Sequence, residues 1–383
     1  MRALLALLCS SCTSASSAPT PAVTSAHDPS PSSETAPSSP PSIPAAPKLG
    51  DPAAPGRVVA AHVIASLGSA PATDRPVRAR AGDPVTLYAA IVVERDGKRT
   101  VYTDAPSPAL AGKPIAAEPL ARAPQLDLRW NRIEPALATM SNGDEPADFH
   151  FEPIDYRATA IDGAANRASI AADVRPTLTP DHGRGLGTMR YQIIALQGDR
   201  VIASAGPESR RGKGSGGLTD AVLRVSFRRD DTFLGYMTEL YNQPYIWASE
   251  GLTHDTHQSE RLEGADCADL MVYGQRRLGN KVPYSWTGAL PQVTDLLSAG
   301  TRSPDGIYRD KRGTPLPFPR LGDLMLFPRH VGALAADRGT PGILDDQDLM
   351  MHTLFDSPKE QAIADSGYAD RPVEVRRFRA RKR

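Results

Sequence analysis

Apolar and polar residues alternate with a period of two along much of the first half of the chain. In "DPVTLYAAIVVERDGKRTVYTD", residues 83–104, Val85, Leu87, Ala89 and Ile91 share one face, and Asp96-Gly97 separates two such runs as a hairpin turn would. "GTMRYQIIALQGDRVIASAG" repeats the design, with Met189, Tyr191 and Ile193 in phase and Gly198-Asp199 at the turn. In "AVLRVSFRR", Leu223, Val225 and Phe227 alternate with Arg224, Ser226 and Arg228. Short alternating strands separated by turn signals predict a β-sandwich over residues 57–228, immunoglobulin-like in pattern. The region has no Cys pair and no catalytic cluster, so its default reading is a spacer or ligand-binding module. "SRRGKGSGG", residues 209–217, reads as a flexible basic loop on a solvated face.

After Arg229 the period changes to that of a helix. Phe233, Tyr236, Met237, Leu240 and Tyr241 recur at the spacing of one helical face, with Asp230, Asp231 or Thr232 available as caps and Pro244 as a stop. "CADLMVYGQRRLG" predicts a second helix. It has Cys267 in its first turn, Leu270, Met271, Gly274 and Leu278 on the same face, and Gly279 just past its end. "GDLMLFPRHVGALAAD" reads as extended chain broken or bulged at Pro328, and "DLMMHTLFD" as a further strand. If these two segments pair antiparallel, His330 and His352 become neighbours on one face. His254 and His257 have a ligand-like spacing, but without nearby cysteines they read as part of a solvated loop.

The N-terminus adds a topological expectation. "MRALLALLCSSC" has one basic residue, a short apolar run and small residues before Cys12, as an export signal of the lipoprotein type would. Residues 1–12 are therefore expected to be the signal, with Cys12 as a lipidation candidate. Residues 13–56, rich in Pro, Ser and Ala, are expected to form a disordered tether. The 383 residues carry 44 basic and 44 acidic side chains, and this balance gives no sign of a nucleic-acid partner. The terminal "RRFRARKR" reads as a solvated tail, with 380–383 beyond the second domain, residues 229–379.

Export sharpens the question of Cys267. The other two cysteines are Cys9 and Cys12, so after signal removal Cys267 has no disulfide partner in an oxidising compartment. It is either a buried small hydrophobe or a nucleophile. A nucleophilic thiol needs a lowered pKa, a base in reach and a group orienting that base. Cys267 at a helix start, His330 on one strand and His352 on the next offer one residue for each task. Asp348, Gln347 or Asp356 could replace His352 after a small register error. Asp266 is expected to cap the helix and Asp269 to point away around it. Such chemistry needs no metal or organic cofactor.

Five blocks, "FLGYMTELYNQPYIWAS", "GADCADLMVYG", "LGDLMLF", "HVGALAAD" and "LMMHTLF", resemble in kind and order those of NlpC-type papain-like cysteine peptidases of bacterial cell walls. The resemblance covers about residues 230–356. It implies an α+β papain-like domain after the β-sandwich, with Cys267 as nucleophile, His330 as base, His352 as orienting residue and Tyr245 near the oxyanion site. It also implies peptidoglycan stem or cross-link peptides as substrate, in a cell-envelope protein attached to a membrane if Cys12 is lipidated. Ala268-Asp269 stands where the family has Ser-Gly, Ala248-Ser249 where it has Gly-Gly, and the 247–267 loop is long. These departures leave open an amidase or acyltransferase using the same cysteine, or an inactive wall-binding module. Trp247 and Trp286 are expected to be packing residues.

Overall fold

The computed structural model describes residues 47–143 and 149–379. The expected signal with Cys12, the tether as far as residue 46 and the tail 380–383 lie outside the described residues; the start of "RRFRARKR" is not a solvated tail, since Arg376–Phe378 end the strand Val373–Phe378 and Arg376 is buried. From Pro47 onward the chain is one compact unit, β-rich throughout, in which two parts can be followed.

The first part holds two sheets. Arg57–Leu67, Val85–Arg95, Lys98–Tyr102, Ala117–Glu118 and Ser169–Ala171 form one. Tyr156–Ala160, Asp127–Pro135, Gly187–Gln197, Leu223–Arg228 and Val77–Arg80 form the other, with Arg200–Ala203 paired to Gly187–Gln197. The alternating residues face inward. Val85, Leu87, Ala89 and Ile91 meet Met189, Tyr191, Ile193, Leu223 and Val225 in one shared core around the fully buried Trp130. Asp96-Gly97 and Gly198-Asp199 both close two-residue hairpins. The end of the expected tether is corrected: Leu49 exchanges backbone hydrogen bonds with Leu126 and packs on this core, so an apolar side chain pins residues 49–51 to the first part.

The second part is a curled antiparallel sheet of seven strands with two short helices on one face. Its order is Tyr308–Arg309, Thr294–Arg302, Val373–Phe378, Leu324–Phe327, His330–Ala336, Leu349–His352, Lys359–Ala362. Helix α1, Phe233–Met237, is capped by the Thr232 side chain, which accepts from the Gly235 N–H, and runs on into a 3₁₀ turn. Helix α2, Cys267–Arg277, starts at Asp266, whose side chain accepts from the Asp269 N–H at 2.8 Å. It ends in a Schellman motif at Gly279, φ 87°, with Asn280 N–H bonded to the Gln275 carbonyl and Gly279 N–H to that of Arg276. The helices cross where Gly274 leaves room: a Cβ there would lie 2.7 Å from the Phe233 ring. Leu270, Met271 and Tyr273 then pack on Leu324, Val331, Ala333 and Met351, while Leu278 at the C-cap is exposed.

Two expectations change here. The chain around Pro328 is a tight hairpin, not a bulged strand. Phe327 pairs with His330 across Pro328 and Arg329, and Arg329 has φ 67°. Proline first and positive φ second is the pattern of a type II turn. Residues 209–217 are solvated only in their first half, where Arg210, Gly212 and Lys213 are exposed. Gly214 to Gly217 are buried, and Ser215 Oγ donates to Glu263 Oε2 at 2.6 Å. Gly217 permits this approach, since a Cβ there would collide with the Glu263 carboxyl at 2.2 Å.

The two parts are joined by buried polar contacts. Glu239, fully buried, accepts from Arg78 of the first part at 2.9 Å, from Arg277 of α2 at 2.9 Å and from the Tyr273 hydroxyl. Arg190 donates to Gln243 Oε1 at 3.0 Å and to the Leu262 carbonyl at 2.8 Å. The strand Tyr245–Trp247 pairs in parallel with Thr139–Ser141 of the first part. Removing a buried partner strands charges that have left water, a loss of about 3–5 kcal/mol when burial is complete. Arg78 and Arg277 keep some solvent contact, so Glu239→Gln is expected to cost about 2–3 kcal/mol. Urea unfolding at neutral pH, read against wild type, measures it.

Candidate active site

Cys267 is the first residue of α2 and lines a cleft of about 760 Å³ together with Tyr245, Trp247, Arg329, Phe355 and Tyr368. It is 6 % exposed, and the backbone amide of Val331, the residue after His330, lies close enough to its sulfur to favour the thiolate. The thiol lies well above its ordinary pKa. Burial is the main cause, and the Asp266 carboxylate is the second; the Val331 and Ala268 amides pull the other way. A helix N-terminus is worth about 0.3–1 kcal/mol, whereas burial shifts a pKa by several units. The resting thiol is therefore protonated.

The strands His330–Ala336 and Leu349–His352 pair antiparallel, with Ala333 opposite Met351. That register places Gly332 opposite His352 and puts His330 on the diagonal. His330 Nε2 and His352 Nδ1 are 2.8 Å apart. Glycine at 332 makes the diagonal contact possible: a Cβ there would lie 2.3 Å from the Met350 side chain and 3.1 Å from His352 Cβ. The His330 ring is further held by stacking on Tyr368, centroid distance 4.5 Å. Both imidazoles are buried and resist protonation. His330 is lowered to about 3 by burial and then by His352, and His352 to about 4 by burial and then by Lys359.

His330 Nδ1 is buried and has no hydrogen-bond partner. An unpaired buried group of this kind costs about 1–3 kcal/mol, so it calls for an explanation. If Nδ1 is the free acceptor, Nε2 carries the proton and donates to His352 Nδ1, which fixes the tautomer. The sulfur itself is hydrogen-bonded to neither imidazole. The structure thus brings Cys267 near the backbone beside His330 and joins His330 to His352. It does not close a sulfur–ring bond.

Tyr245 is buried beside the sulfur, edge-on to Phe355 at 5.5 Å. Its phenol is raised by burial first and by Cys267 next. Its hydroxyl makes no hydrogen bond to the described residues. The alternatives to His352 are engaged elsewhere. Asp348 accepts the Arg338 and Asp345 amides, Gln347 donates to Asp346, and Asp356 pairs with His182 and Lys359.

Two expectations fail and one is refined. Asp269 does turn away around the helix, but into protein: its carboxylate is buried and bonded to Ser249 Oγ, whose oxygen also accepts the Asp266 N–H at 3.0 Å. His257 is not solvated. It stacks flat on Tyr284 at 3.7 Å, with Nε2 3.5 Å from Asp269. No metal-binding group of His, Cys, Asp and Glu occurs among the described residues. Trp247 and Trp286 are 42 % and 66 % exposed, so neither is a core residue; Trp286 lies over Gly288 instead. Sequence reasoning missed Arg329, Phe355, Tyr368 and Arg371 of the cleft, and Gly332. Only the Pro328-Arg329 pair between two apolar runs carried a readable turn signal.

No family model, curated protein or solved structure matches the chain. The site must be read from its own chemistry.

Gly332→Ala is expected to separate the two imidazoles while leaving the sheet folded, seen as loss of the His330–His352 hydrogen-bond signal in ¹⁵N NMR of the rings. Acid should also act through His352. Unfolded imidazole takes up a proton below about 6.5, whereas the folded ring does so only near 4. The unfolded state then binds more protons between these values, and stability falls with pH by at most about 1.4 kcal/mol per unit. Asp266 and Asp348, raised by burial to about 6 and about 7, act in the opposite sense. The prediction is therefore a difference: the acid-side slope of urea stability between pH 6.5 and 4 should be shallower in His352→Gln than in wild type.

Proposed function

We propose that the chain is a cysteine hydrolase of the NlpC-type papain-like kind, acting on amide bonds of peptidoglycan stem or cross-link peptides. In this reading the second part is the α+β papain-like domain and the first an immunoglobulin-like sandwich that pairs with the Tyr245–Trp247 strand of the cleft. The protein works in the cell envelope after export, with Cys12 as its lipid attachment. The observation that carries the proposal is the His330–His352 pair, Nε2 to Nδ1 at 2.8 Å, with His330 Nδ1 buried and left without a partner, one residue from the amide that favours the Cys267 thiolate.

Cys267 attacks the amide carbonyl while His330 Nδ1 takes the thiol proton. The proton passes from sulfur to ring in the same step as S–C bond formation, because thiol and imidazole are both neutral at rest. His352 accepts from Nε2–H and stabilises the imidazolium that develops. The Tyr245 hydroxyl, free of protein partners, and the Cys267 N–H are the donors for the oxyanion. The imidazolium returns its proton to the leaving amine, and water, deprotonated by His330, releases the acyl group. Hydrogen bonds of this type are often long or misaligned without substrate and tighten when it binds.

The raised thiol pKa favours one alternative: an inactive module that binds wall peptides through the same cleft. Digestion of purified peptidoglycan separates the two. Wild type should release peptide fragments, Cys267→Ala none, and His330→Ala fragments at least about a hundredfold more slowly. Equal release by wild type and Cys267→Ala would end the hydrolase reading; binding without release in either would favour the module.

A further inference from the structure

The cleft around Cys267 has a one-sided charge. Its lining includes two arginines, Arg329 and Arg371, and no carboxylate, in a chain with equal numbers of acidic and basic residues. Most guanidiniums of the second part are committed: Arg302 to Asp346, Arg309 to Asp305, Arg376 to Glu374, Arg377 to Asp323. Arg329 and Arg371 are exposed and make no ion pair and no side-chain hydrogen bond among the described residues. Arg329 also sits at φ 67°, a conformation that Gly or Asn adopts at less cost. The hairpin would be easier to form without it, so its side chain has a use beyond the turn.

The cleft does not end at these arginines. Pro328 and Pro372 are shared with a second hollow of about 570 Å³, lined also by Leu326, Phe327 and Val373. The acids there are occupied: Asp310 accepts the Arg312 and Thr314 amides, and Glu374 pairs with Arg376. Lys311 on its rim has no ion pair among the described residues.

We infer that Arg329 and Arg371 form a carboxylate-recognising subsite beside Cys267, and that the groove takes an extended chain bearing acidic groups. This deepens the functional reading above, since it names the charge of the substrate, but it also holds for a cleft that only binds. A guanidinium pairs a carboxylate through two parallel N–H···O bonds, and two unpaired cations facing one cleft raise the local concentration of anions.

Alkylation tests this without knowledge of the substrate. Iodoacetate and iodoacetamide differ in charge, and peptide mapping reports modification of Cys267 alone. The rate ratio of acetate to acetamide, taken against the same ratio for the unfolded chain, should be raised about three- to tenfold. It should fall to the unfolded value in Arg329→Asn/Arg371→Gln, with the iodoacetamide rate unchanged, and in half-molar salt. Asn keeps the positive φ of the turn. Arg200→Gln, on the first part, should keep the raised ratio. A ratio equal to that of the unfolded chain, or one unaffected by the double substitution, overturns the inference. Should Cys267 react with neither reagent, the same chains are compared for binding of fluorescent hexaglutamate by anisotropy at low salt. Loss of about tenfold in affinity in the double variant supports the subsite, and equal affinity overturns it. Failure of the hydrolase reading is seen separately, as absence of turnover with the charge preference intact.

Discussion

One buried carboxylate ties the two parts of this protein together. Glu239 follows α1, lies at zero exposure and gathers Arg78 from the first part with Arg277 and Tyr273 from α2. Both α2 partners lie in its C-terminal half, and Cys267 is at its other end. The same buried charge therefore sets where the helix lies and where the sulfur points. A buried ion pair is seldom a large net gain over apolar packing. Its value here is geometric: an apolar contact could slide, whereas two guanidiniums and a phenol on two oxygens fix direction as well as distance.

The cleft inherits this constraint. Tyr245 is held from one side by Thr139–Ser141 of the first part and from the other by a bridge to Ala265 just before the helix. Asn142 reinforces the join, donating to the Ala248 carbonyl and to Gln258. The long segment between Trp247 and Cys267 is thus an interface element. It buries His257, Gln258 and Ser259 and supplies Ser249, which links the Asp266 amide to the Asp269 carboxylate. A first part read as a spacer or ligand-binding module turns out to hold, by strand pairing, the segment that brings Tyr245 and Trp247 to the cleft.

What could be read from sequence was what depends on local periodicity. The alternation of Val85 to Ile91 and of Leu223 to Phe227 reports a buried face directly, and the spacing from Asp266 to Gly279 reports a helix with its cap and stop. The His330–His352 pairing was legible because it needs only two strands in phase. Contacts between segments far apart in the chain left no such trace. Glu239 reads as one more polar residue on a helix, and "SRRGKGSGG" reads as a loop, until Glu263 is seen to need the space that Gly217 leaves. Exposed Trp247 and buried His257 invert the usual expectation for each type because the interface decides their surroundings.

Burial also decides the chemistry of the thiol, in a way that composition could not predict. The helix start and the Val331 amide favour thiolate, yet loss of water outweighs them, and the flanking acids add to the rise. His330 and His352 are pushed in the matching direction, to about 3 and about 4. Cys267, His330 and His352 are then all neutral, and no charge is stored among them at rest. A resting thiolate–imidazolium pair would need water or fixed dipoles that this cleft supplies only sparsely. In the proposed hydrolase, charge separation would be deferred to the moment when a substrate carbonyl offers an oxygen to Tyr245 and the Cys267 amide, with His352 placed to share the proton's charge.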